Sequence, residues 1–385
     1  MIPAEVLGDE RLAAAAWSAL TEPGDVVAGI LRAGLGVREA LVRAVEATGG
    51  LVPPELDALV PDPRALRRAL ERWRSRLAEA DPRPALEHLA ALGGHLVRPG
   101  DPAWPRGLDD LGPTAPPCLW VRGTLEGPRL DARSVALVGS RAATPYGERV
   151  TAELSAGLTE RGFVVVSGGA LGVDAAAHRA ALAVGGTTLV LLAGGVDRAY
   201  PAAHARLFEA VREAGAVLSE VPPGRAPLRS RFLLRNRLVA ALSRGTVVVE
   251  AAARSGALST ARHAAELLRP LGAVPGPVTS RASVGCHRLL RDGLAVCVTS
   301  PEEVAELVGE LGEDALAEDP AAAPAGLDPV ARRVLDALPV RRPAALGTLL
   351  RVAGLGERET LSALGLLELA GLVRRTGDGW SRLSG

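Results

Sequence analysis

Residues 164–178 read Val164-Val-Val-Ser167-Gly168-Gly169-Ala170-Leu-Gly172-Val-Asp174-Ala-Ala-Ala-His178. The three valines predict a buried strand, the small residues that follow predict a turn, and the alanine-rich stretch predicts a helix. Small residues at 167–170 allow backbone N–H groups to approach a ligand closely. The helix, which begins near Gly172, directs the positive end of its dipole toward the same space. We therefore expect a phosphate or another anion to bind at this turn.

The same turn differs from a dinucleotide-binding fingerprint. Ala170 stands where that fingerprint has its second glycine, and the acidic residue expected about 20 positions further on is missing. The sequence therefore implies no nucleotide cofactor.

Length and composition indicate a protein of two or three domains. The chain has 385 residues, 48% of them hydrophobic, which is enough for a sizeable core. It has no run of 18 apolar residues, and Met1-Ile-Pro-Ala-Glu5 lacks the features of a signal peptide, so we expect a cytoplasmic protein without a membrane span.

Charge and cysteine content exclude several classes of function. The chain has 44 basic and 44 acidic residues, so it cannot coat nucleic acid through its overall charge, and any such site must be local. Its three cysteines, Cys118, Cys286 and Cys297, lack C-x-x-C spacing. They favour neither a disulfide framework nor a zinc site, and we predict that they are buried thiols.

Three domains are predicted along the chain. Residues 1–85 show helical spacing of apolar residues and indicate a small all-α domain of the SAM or helix-hairpin-helix type. Residues 96–308 form the main domain, and 309–327 are acidic and then Ala/Pro-rich, which is typical of a linker. Residues 328–385 contain three helical patterns and a β-ribbon with a turn at Gly377-Asp-Gly379, an order that suggests a winged helix.

The main domain alternates short apolar runs with helical patterns, and the runs lie at 135–138, 164–166, 188–192, 216–218, 246–249, 272–274 and 295–298. Strands that are apolar on both faces and separated by helices predict a parallel sheet with helices on both sides. The predicted fold class is therefore α/β, with an extended Rossmann-like, doubly wound sheet. Ligands of such sheets bind at the carboxyl ends of the strands.

The loop after the first run carries Gly139, Ser140 and Arg141. A guanidinium group beside a glycine turn can hold phosphate oxygens with two hydrogen bonds, although pairing with a nearby carboxylate is the alternative. Tyr146, Tyr200 and Phe232 also lie in loops of this kind, where base stacking and simple packing are both open.

A basic strip lies between Val221 and Val249, a segment without one Asp or Glu. Its polar members are Arg225, Arg229, Arg231, Arg235, Asn236 and Arg237. We predict binding to a phosphate backbone, with a solvated basic surface as the alternative. Residues 235–237 are predicted to open an apolar helix, so that Arg235, Arg237 and the helix N-terminus are aimed at the turn at 167–172.

The next strand end leads into Glu250, followed by Ser255, Gly256 and Thr260. Glu250 could act as a catalytic base, but an arginine-rich site needs a structural carboxylate to hold its guanidinium groups, and we favour that role. Ser259 or Thr260 is predicted to cap or line the pocket. Histidines such as His178 and His204 lack a partner at a catalytic or metal-binding spacing and are predicted to be core or surface residues.

Taken together, these motifs resemble the DNA-processing protein A family, also called DprA or Smf. The resemblance spans about residues 96–298. It rests on Gly139-Ser-Arg141, Ser167-Gly-Gly-Ala-x-Gly-x-Asp-x-x-Ala-His178, Gly195-x-Asp-x-x-Tyr200-Pro201, Ser219-Glu220, Phe232-x-x-Arg235-Asn-Arg237, Val249-Glu250, Ser255-Gly256-x-Leu-x-Thr260-Ala261 and Val274-Pro-Gly276.

The resemblance implies a non-enzymatic protein that binds single-stranded DNA, with no cofactor, metal or membrane. It further implies a homodimer that helps to load the recombinase RecA onto strands displaced from single-strand binding protein, and that protects DNA taken up in natural transformation. The predicted DNA-binding residues are Gly139, Ser140, Arg141, Ser167, Gly168, Gly169, Ala170, Gly172, Arg225, Arg231, Phe232, Arg235, Asn236, Arg237, Ser255, Gly256 and Thr260. Asp174 and Glu250 are predicted to support them structurally.

The sequence departs from the family pattern at Cys286-His287, where Thr-Asn is usual, and at Leu233, where proline often follows the phenylalanine. Two other classes of function stay open. One is a nucleotide phosphoribohydrolase resembling the lonely-guy family, whose Pro-Gly-Gly-x-Gly-Thr-x-x-Glu signature is absent. The other is a transcriptional regulator that binds duplex DNA through the C-terminal winged helix.

Overall fold

A computed structural model describes residues 2–50, 52–309, 314, 327–339, 343–377 and 379–383. The chain forms two compact units, Met1–Ala315 and Leu316–Gly385. Almost all of the predicted linker, residues 309–327, lies outside the described residues. The domain boundaries proposed from the sequence therefore stay predictions.

The first unit begins with helices, which are α1 Ala4–Gly8, α2 Glu10–Leu20, α3 Val26–Leu35, α4 Val37–Thr48, α5 Pro54–Leu59, α6 Pro63–Arg74 and α7 Arg83–Ala91. Asp9, Asp25 and Asp62 accept hydrogen bonds from backbone N–H groups at the starts of α2, α3 and α6. Their common core is centred on Trp17 and Trp73, whose rings pack edge to face with centroids 5.3 Å apart.

A sheet follows, with strands β1 Gly94–Val97, β2 Leu119–Gly123, β3 Ser134–Val138, β4 Val164–Gly168, β5 Thr188–Leu191, β6 Ala216–Ser219, β7 Gly245–Val248, β8 Leu271–Ala273 and β9 Val296–Cys297. Their order is β1-β2-β6-β5-β4-β3-β7-β8-β9. β3 to β9 are all parallel to one another and correspond to the predicted runs. β1 and β2 extend one edge in antiparallel fashion.

The remaining helices of this unit are α8 Gly127–Ala132, α9 Pro145–Glu160, α10 Val173–Ala183, α11 Ala205–Ala214, α12 Arg229–Ala241, α13 Ala257–Glu266, α14 Val284–Arg291 and α15 Pro301–Val308. Alternate residues of β3 point to two cores. Ala136 and Val138 pack in the core that includes α12 and α13, whereas Val135 and Leu137 pack in the core that includes α9 and α15. The sheet is covered on both faces, which confirms the predicted doubly wound α/β architecture.

The strand order defines a topological switch point. The chain proceeds from β3 to β4, β5 and β6 on one side, and then α12 returns across the sheet so that β7 pairs with the other side of β3. The loops that leave β3 and β7 therefore diverge, and they leave a crevice at the carboxyl ends of these strands. Ligands of open α/β sheets bind in such crevices.

Strand β9 forms the far edge of the sheet, and its two residues are exposed. Cys297 lies on this edge, so the prediction that all three cysteines are buried is wrong for Cys297 and confirmed for Cys118 and Cys286. Burial raises the pKa of Cys118 to about 12 and that of Cys286 to about 11. In the part of the chain that the structure describes, no helix is both long and apolar enough to cross a bilayer.

The second unit comprises α16 Pro329–Asp336, α17 Leu346–Ala353, α18 Glu357–Leu369 and the strands β10 Val373–Thr376 and β11 Gly379–Arg382. Val334, Leu349 and Leu364 are fully buried in its own small core. The two strands pair antiparallel, with Thr376 opposite Gly379. Three helices followed by a two-stranded ribbon confirm the predicted winged helix.

Candidate nucleic-acid interface

A groove of about 510 Å³ lies at the switch point, between the carboxyl ends of the strands and the helices α12 and α13. Asp174 lines it, together with many of the residues predicted from the sequence. Those residues are Gly139, Ser140, Arg141, Gly168, Ala170, Phe232, Arg235, Asn236, Ser255, Gly256 and Thr260. The folded chain thus brings together positions that are more than 100 residues apart.

The floor of the groove depends on Gly168 and Arg235. A Cβ atom at Gly168 would overlap the guanidinium group of Arg235, so only glycine allows the strand and the arginine to lie so close. Arg235 is 8% exposed, and its guanidinium donates hydrogen bonds to the carbonyl oxygen of Leu191 and to the side-chain oxygen of Asn236. It therefore brings a positive charge to the bottom of the groove.

Asp174 is a buried carboxylate that interacts electrostatically with that charge. It is 7% exposed, and one carboxylate oxygen accepts a hydrogen bond from the backbone N–H of Ala170 at 3.2 Å. Burial raises the pKa of Asp174 above its ordinary value, whereas the positive charge of Arg235 acts in the opposite direction. The supporting role of Asp174 stays a prediction.

Two buried histidines hold the glycine turn through hydrogen bonds to its carbonyl oxygens. Nε2 of His178 lies 2.8 Å from the carbonyl oxygen of Gly168, and Nδ1 of His204 lies 3.1 Å from that of Gly169. Because a carbonyl oxygen only accepts hydrogen bonds, both nitrogens act as donors. The prediction that these histidines are core or surface residues is confirmed, since His178 is fully buried and His204 is 2% exposed. The spacing of these histidines in the sequence did not indicate that they hold the turn.

Arg141 and Phe232 form one rim of the groove, and Tyr200 packs beside Phe232. The guanidinium of Arg141 lies 5.1 Å from the ring centroid of Phe232, and that ring lies 5.5 Å from the ring of Tyr200. Tyr200 is 54% exposed, so its ring is accessible to solvent. Tyr146 lies elsewhere, with its hydroxyl donating to the carbonyl oxygen of Pro275 at 2.6 Å.

Arg229, a member of the predicted basic strip, and Arg254 also line the groove. Both are exposed, as is Arg141. Among the described residues, none of these three side chains forms an ion pair with a carboxylate. Arg229 is the first residue of α12, and it lies four residues before Leu233 and seven before Asn236, on the same helix face.

The loop that carries Arg254 is held by α12 and α13. The side-chain amide of Asn236 donates to the carbonyl oxygen of Gly256 at 3.2 Å, and Thr260 is 2% exposed in the first turn of α13. The hydroxyl of Ser255 accepts from the backbone N–H of Ala257 at 3.3 Å. These contacts position the loop as the second rim.

Glu250 has a structural role, but its partner is not an arginine. Its carboxylate accepts hydrogen bonds from the backbone N–H of Thr144 at 2.9 Å and from the Thr144 hydroxyl at 2.6 Å. Thr144 in turn caps the N-terminus of α9. The expectation that Glu250 holds guanidinium groups is therefore wrong, because the carboxylate is 1% exposed and points to the loop after Arg141.

Three arginines of the basic strip do not face the groove. Arg237 pairs with Glu220 at 2.7 Å, Arg231 with Glu22 at 2.8 Å, and Arg225 with Glu79 at 2.7 Å. The prediction that Arg237 joins Arg235 at the turn at 167–172 is wrong. Glu220 directly precedes the segment from Val221 to Val249, and Glu22 and Glu79 come from the helical region, so carboxylates outside the segment balance its charges.

The start of α12 explains part of this correction. The sequence predicted a helix opening at residues 235–237, whereas α12 begins at Arg229 and continues without interruption. The triplet therefore lies in the middle of the helix, and no helix N-terminus lies beside it. Because successive residues of a helix differ by about 100° in direction, Arg235 and Arg237 point to different surroundings.

Three small residues of the turn also lie away from the groove. The Ser167 hydroxyl donates to the carbonyl oxygen of Leu137 at 2.6 Å, and Gly169 packs against Phe208. Gly172 has a φ of +76°, and a Cβ atom there would overlap the carbonyl oxygen of Ser140. These three residues shape the loops that form the groove rather than line it.

The departures from the family pattern have a limited effect on the groove. Cys286 is buried, and Nε2 of His287 donates to the carbonyl oxygen of Gly276 at 3.0 Å, so neither side chain lines the groove. Leu233 does line it and is 54% exposed. Within the described residues, no cluster of three or more His, Cys, Asp or Glu side chains could hold a metal ion.

Comparisons with known proteins agree with this fold and groove. The family described as DNA recombination-mediator protein A matches residues 95–309, and the DprA winged helix domain matches residues 317–379. A putative DNA processing protein DprA of Mycobacterium tuberculosis is 47% identical over 306 residues, covering 77% of this chain and 78% of that protein.

DNA processing protein DprA of Streptococcus pneumoniae is 43% identical over 190 residues, covering 49% of this chain and 66% of that protein. A crystal structure of DprA from Streptococcus pneumoniae superposes with a TM-score of 0.63 at 31% identity, covering 78% of this chain and 99% of that one. The sequence matches, the shared fold and the arrangement of the motifs lead to one conclusion: this chain belongs to the DNA recombination-mediator protein A family.

Proposed function

We propose that the groove binds the phosphate backbone of single-stranded DNA. The observation that carries this proposal is the convergence of Arg141, Arg229 and Arg254, none of which has a carboxylate partner among the described residues. In a chain of zero net charge, three such guanidinium groups above the buried charge of Arg235 form a local anion site. Gly168 allows the guanidinium of Arg235 to lie directly against the strand, so this charge stands at the bottom of the groove.

The shape of the groove and the side chains at its rim favour binding of single-stranded over duplex DNA. The cationic side chains surround a recess that can take a few nucleotides of a flexible chain. Phe232 and Tyr200 offer ring faces to unstacked bases, which a duplex keeps inside its own stack. Most of the contacts would be with phosphate, so little sequence preference is expected.

Membership of the family supports a mediator role for this binding. We infer that the chain hands single-stranded DNA to RecA, displaces single-strand binding protein and protects incoming DNA in the cytoplasm, without catalysing a reaction. The open edge of the sheet, where Leu294 and Val296 are 55% and 54% exposed, supports pairing of two chains through this domain. Such a dimer would place two grooves on one assembly.

The first prediction concerns the form of DNA. Fluorescence anisotropy with an oligothymidine and with a duplex of equal length, repeated across salt concentrations, is expected to show tighter binding of the single strand. The logarithm of affinity is expected to fall linearly with the logarithm of salt concentration, because bound arginines release counterions from phosphates. Equal affinity for both forms would contradict the proposal.

The second prediction concerns Arg141. Arg141→Ala is expected to weaken binding of single-stranded DNA and to lower the salt slope by about 0.7, the value for one lost phosphate contact on a single strand. Thermal melting should be unchanged, because the Arg141 side chain is exposed.

Arg149→Ala serves as a matched control, since Arg149 is exposed on α9 and does not line the groove. It is expected to retain the wild-type slope. An unchanged slope for Arg141→Ala would assign Arg141 to packing against Phe232 alone.

A further inference from the structure

Helix α6 carries a dense positive charge on its outer face. Five arginines of this helix are exposed, and Glu71 is the one acidic residue between them. The five are Arg64, Arg67, Arg68, Arg72 and Arg74. At 100° per residue they span roughly 160° of the helix surface. The chain as a whole has zero net charge, so this concentration of positive charge is local to α6.

The opposite face of α6 is fixed in the core of the helical region. Leu66, Ala69, Leu70 and Trp73 are each at most 6% exposed. A basic amphipathic helix can lie on a lipid surface only if its apolar face is free to enter the lipid. Here that face is already buried, so the arginines are displayed on a rigid surface for a partner in solution.

Most of these charges are available to a ligand. Arg64 and Arg67 have no ion pair among the described residues. Arg68 lies 3.5 Å from Asp62, with both side chains more than half exposed, and Arg72 lies 3.4 Å from Asp25. The exposed Arg68–Asp62 pair contributes about 0–1 kcal/mol, so a phosphate can replace this carboxylate at little cost. Asp25, in contrast, is 8% exposed and also accepts a hydrogen bond from the Trp73 indole.

Ion pairs connect the residues just after α6 to α12, the helix that lines the groove, and to the residues before it. Just beyond α6, Arg76 binds Glu22 at 2.7 Å, and the same carboxylate binds Arg231 of α12 at 2.8 Å. Arg225, a few residues before α12, binds Glu79 at 2.7 Å. The carboxyl end of α6 therefore lies beside the start of α12, where Arg229 enters the groove. From this junction α6 extends for about 18 Å.

We propose that the outer face of α6, which we call the α6 arginine face, binds the stretch of single-stranded DNA that leaves the groove. The inference rests on the proposed function of the groove. Guanidinium groups bind phosphate with two hydrogen bonds and are more weakly hydrated than ammonium groups. The face exposes no aromatic side chain, so it contacts the backbone and does not read bases. The α6 arginine face lengthens the DNA-binding site without adding a preference for particular bases.

The test compares two lengths of DNA on the full chain. An oligothymidine of about 6 nucleotides fills the groove alone, whereas one of about 25 nucleotides reaches α6, given site sizes of roughly 4–16 nucleotides per binding fold. The variant Arg64→Gln/Arg67→Gln/Arg68→Gln is expected to bind the short strand like the wild type. For the long strand, its affinity should fall about tenfold or more, and its salt slope by about 2.

A control variant removes the same charge elsewhere. Arg129→Gln/Arg149→Gln/Arg179→Gln changes three exposed residues on α8, α9 and α10 and is expected to bind both strands like the wild type. Equal losses in this control, or wild-type binding of the long strand by the α6 variant, would overturn the inference. Binding of anionic lipid vesicles that the α6 variant loses, without any change for DNA, would overturn it as well. Arg141→Ala separates the two proposals, because failure of this variant to affect either strand contradicts the groove and not the α6 face.

Discussion

Replacing Arg237 with alanine is expected to lower the free energy of unfolding by about 3–5 kcal/mol, the usual effect of removing one partner of a buried ion pair. The side chains of Arg237 and Glu220 are 5% and 7% exposed and lie 2.7 Å apart. Arg237 also donates to the carbonyl oxygen of Thr114 at 2.8 Å and to that of Leu234 at 3.1 Å. Without the arginine, the Glu220 carboxylate stays buried without its ion-pair partner. Chemical denaturation of the wild type and the variant measures the difference.

Arg229→Ala is the matched comparison, because Arg229 lies on the same helix but is exposed in the groove. It is expected to weaken DNA binding with little change in stability. Arg237→Ala is expected to lose stability while its folded fraction retains DNA affinity. The double variant Arg237→Ala/Glu220→Ala should cost less than the sum of the single changes, since neighbouring charges couple. Lost affinity with unchanged stability for Arg237→Ala would return this residue to the binding surface.

The sheet could be predicted from the sequence because a strand buried on both faces requires a continuous run of apolar residues. Val135 to Val138 and Val164 to Val166 are continuous apolar runs, and the structure buries each of these residues. The position of the groove followed from the same inference, since loops at the carboxyl ends of parallel strands meet. Gly139, Arg141 and Gly168 are therefore found together although the chain separates them.

Which arginines face the groove and which form buried or long-range ion pairs could not be predicted in the same way. Arg235 and Arg237 differ by two positions, and the structure directs one to the groove and the other to Glu220. Glu22 and Glu79, which hold Arg231 and Arg225, come from the helical region more than 140 residues away. Such long-range pairs leave no periodicity in the local sequence. The α6 face had a visible signal in its repeated arginines, but its exposure depends on how the helical region packs.

The stability of the fold is expected to fall by about 3 kcal/mol as pH decreases from 6.5 to 4, because of His178 alone. His178 is fully buried, and burial lowers its pKa from 6.5 to about 4. Between these pH values the unfolded chain binds a proton at this ring that the folded chain does not bind. Protons therefore favour the unfolded state in this range, the loss begins as pH falls through 6.5, and it levels off below about 4.

His178→Gln isolates this contribution. In the neutral ring, Nε2 donates to the carbonyl oxygen of Gly168, and Nδ1 lies 2.7 Å from the oxygen of the Thr188 hydroxyl. A glutamine amide offers one donor and one acceptor without titrating near neutral pH. Unfolding measured from pH 7 to pH 4 should thus show a loss for the wild type that exceeds that of His178→Gln by about 3 kcal/mol. His263→Gln, at a partly exposed position on α13, is expected to follow the wild type. Parallel profiles for the wild type and His178→Gln would show that the ring anchoring Gly168 is not the group that resists protonation.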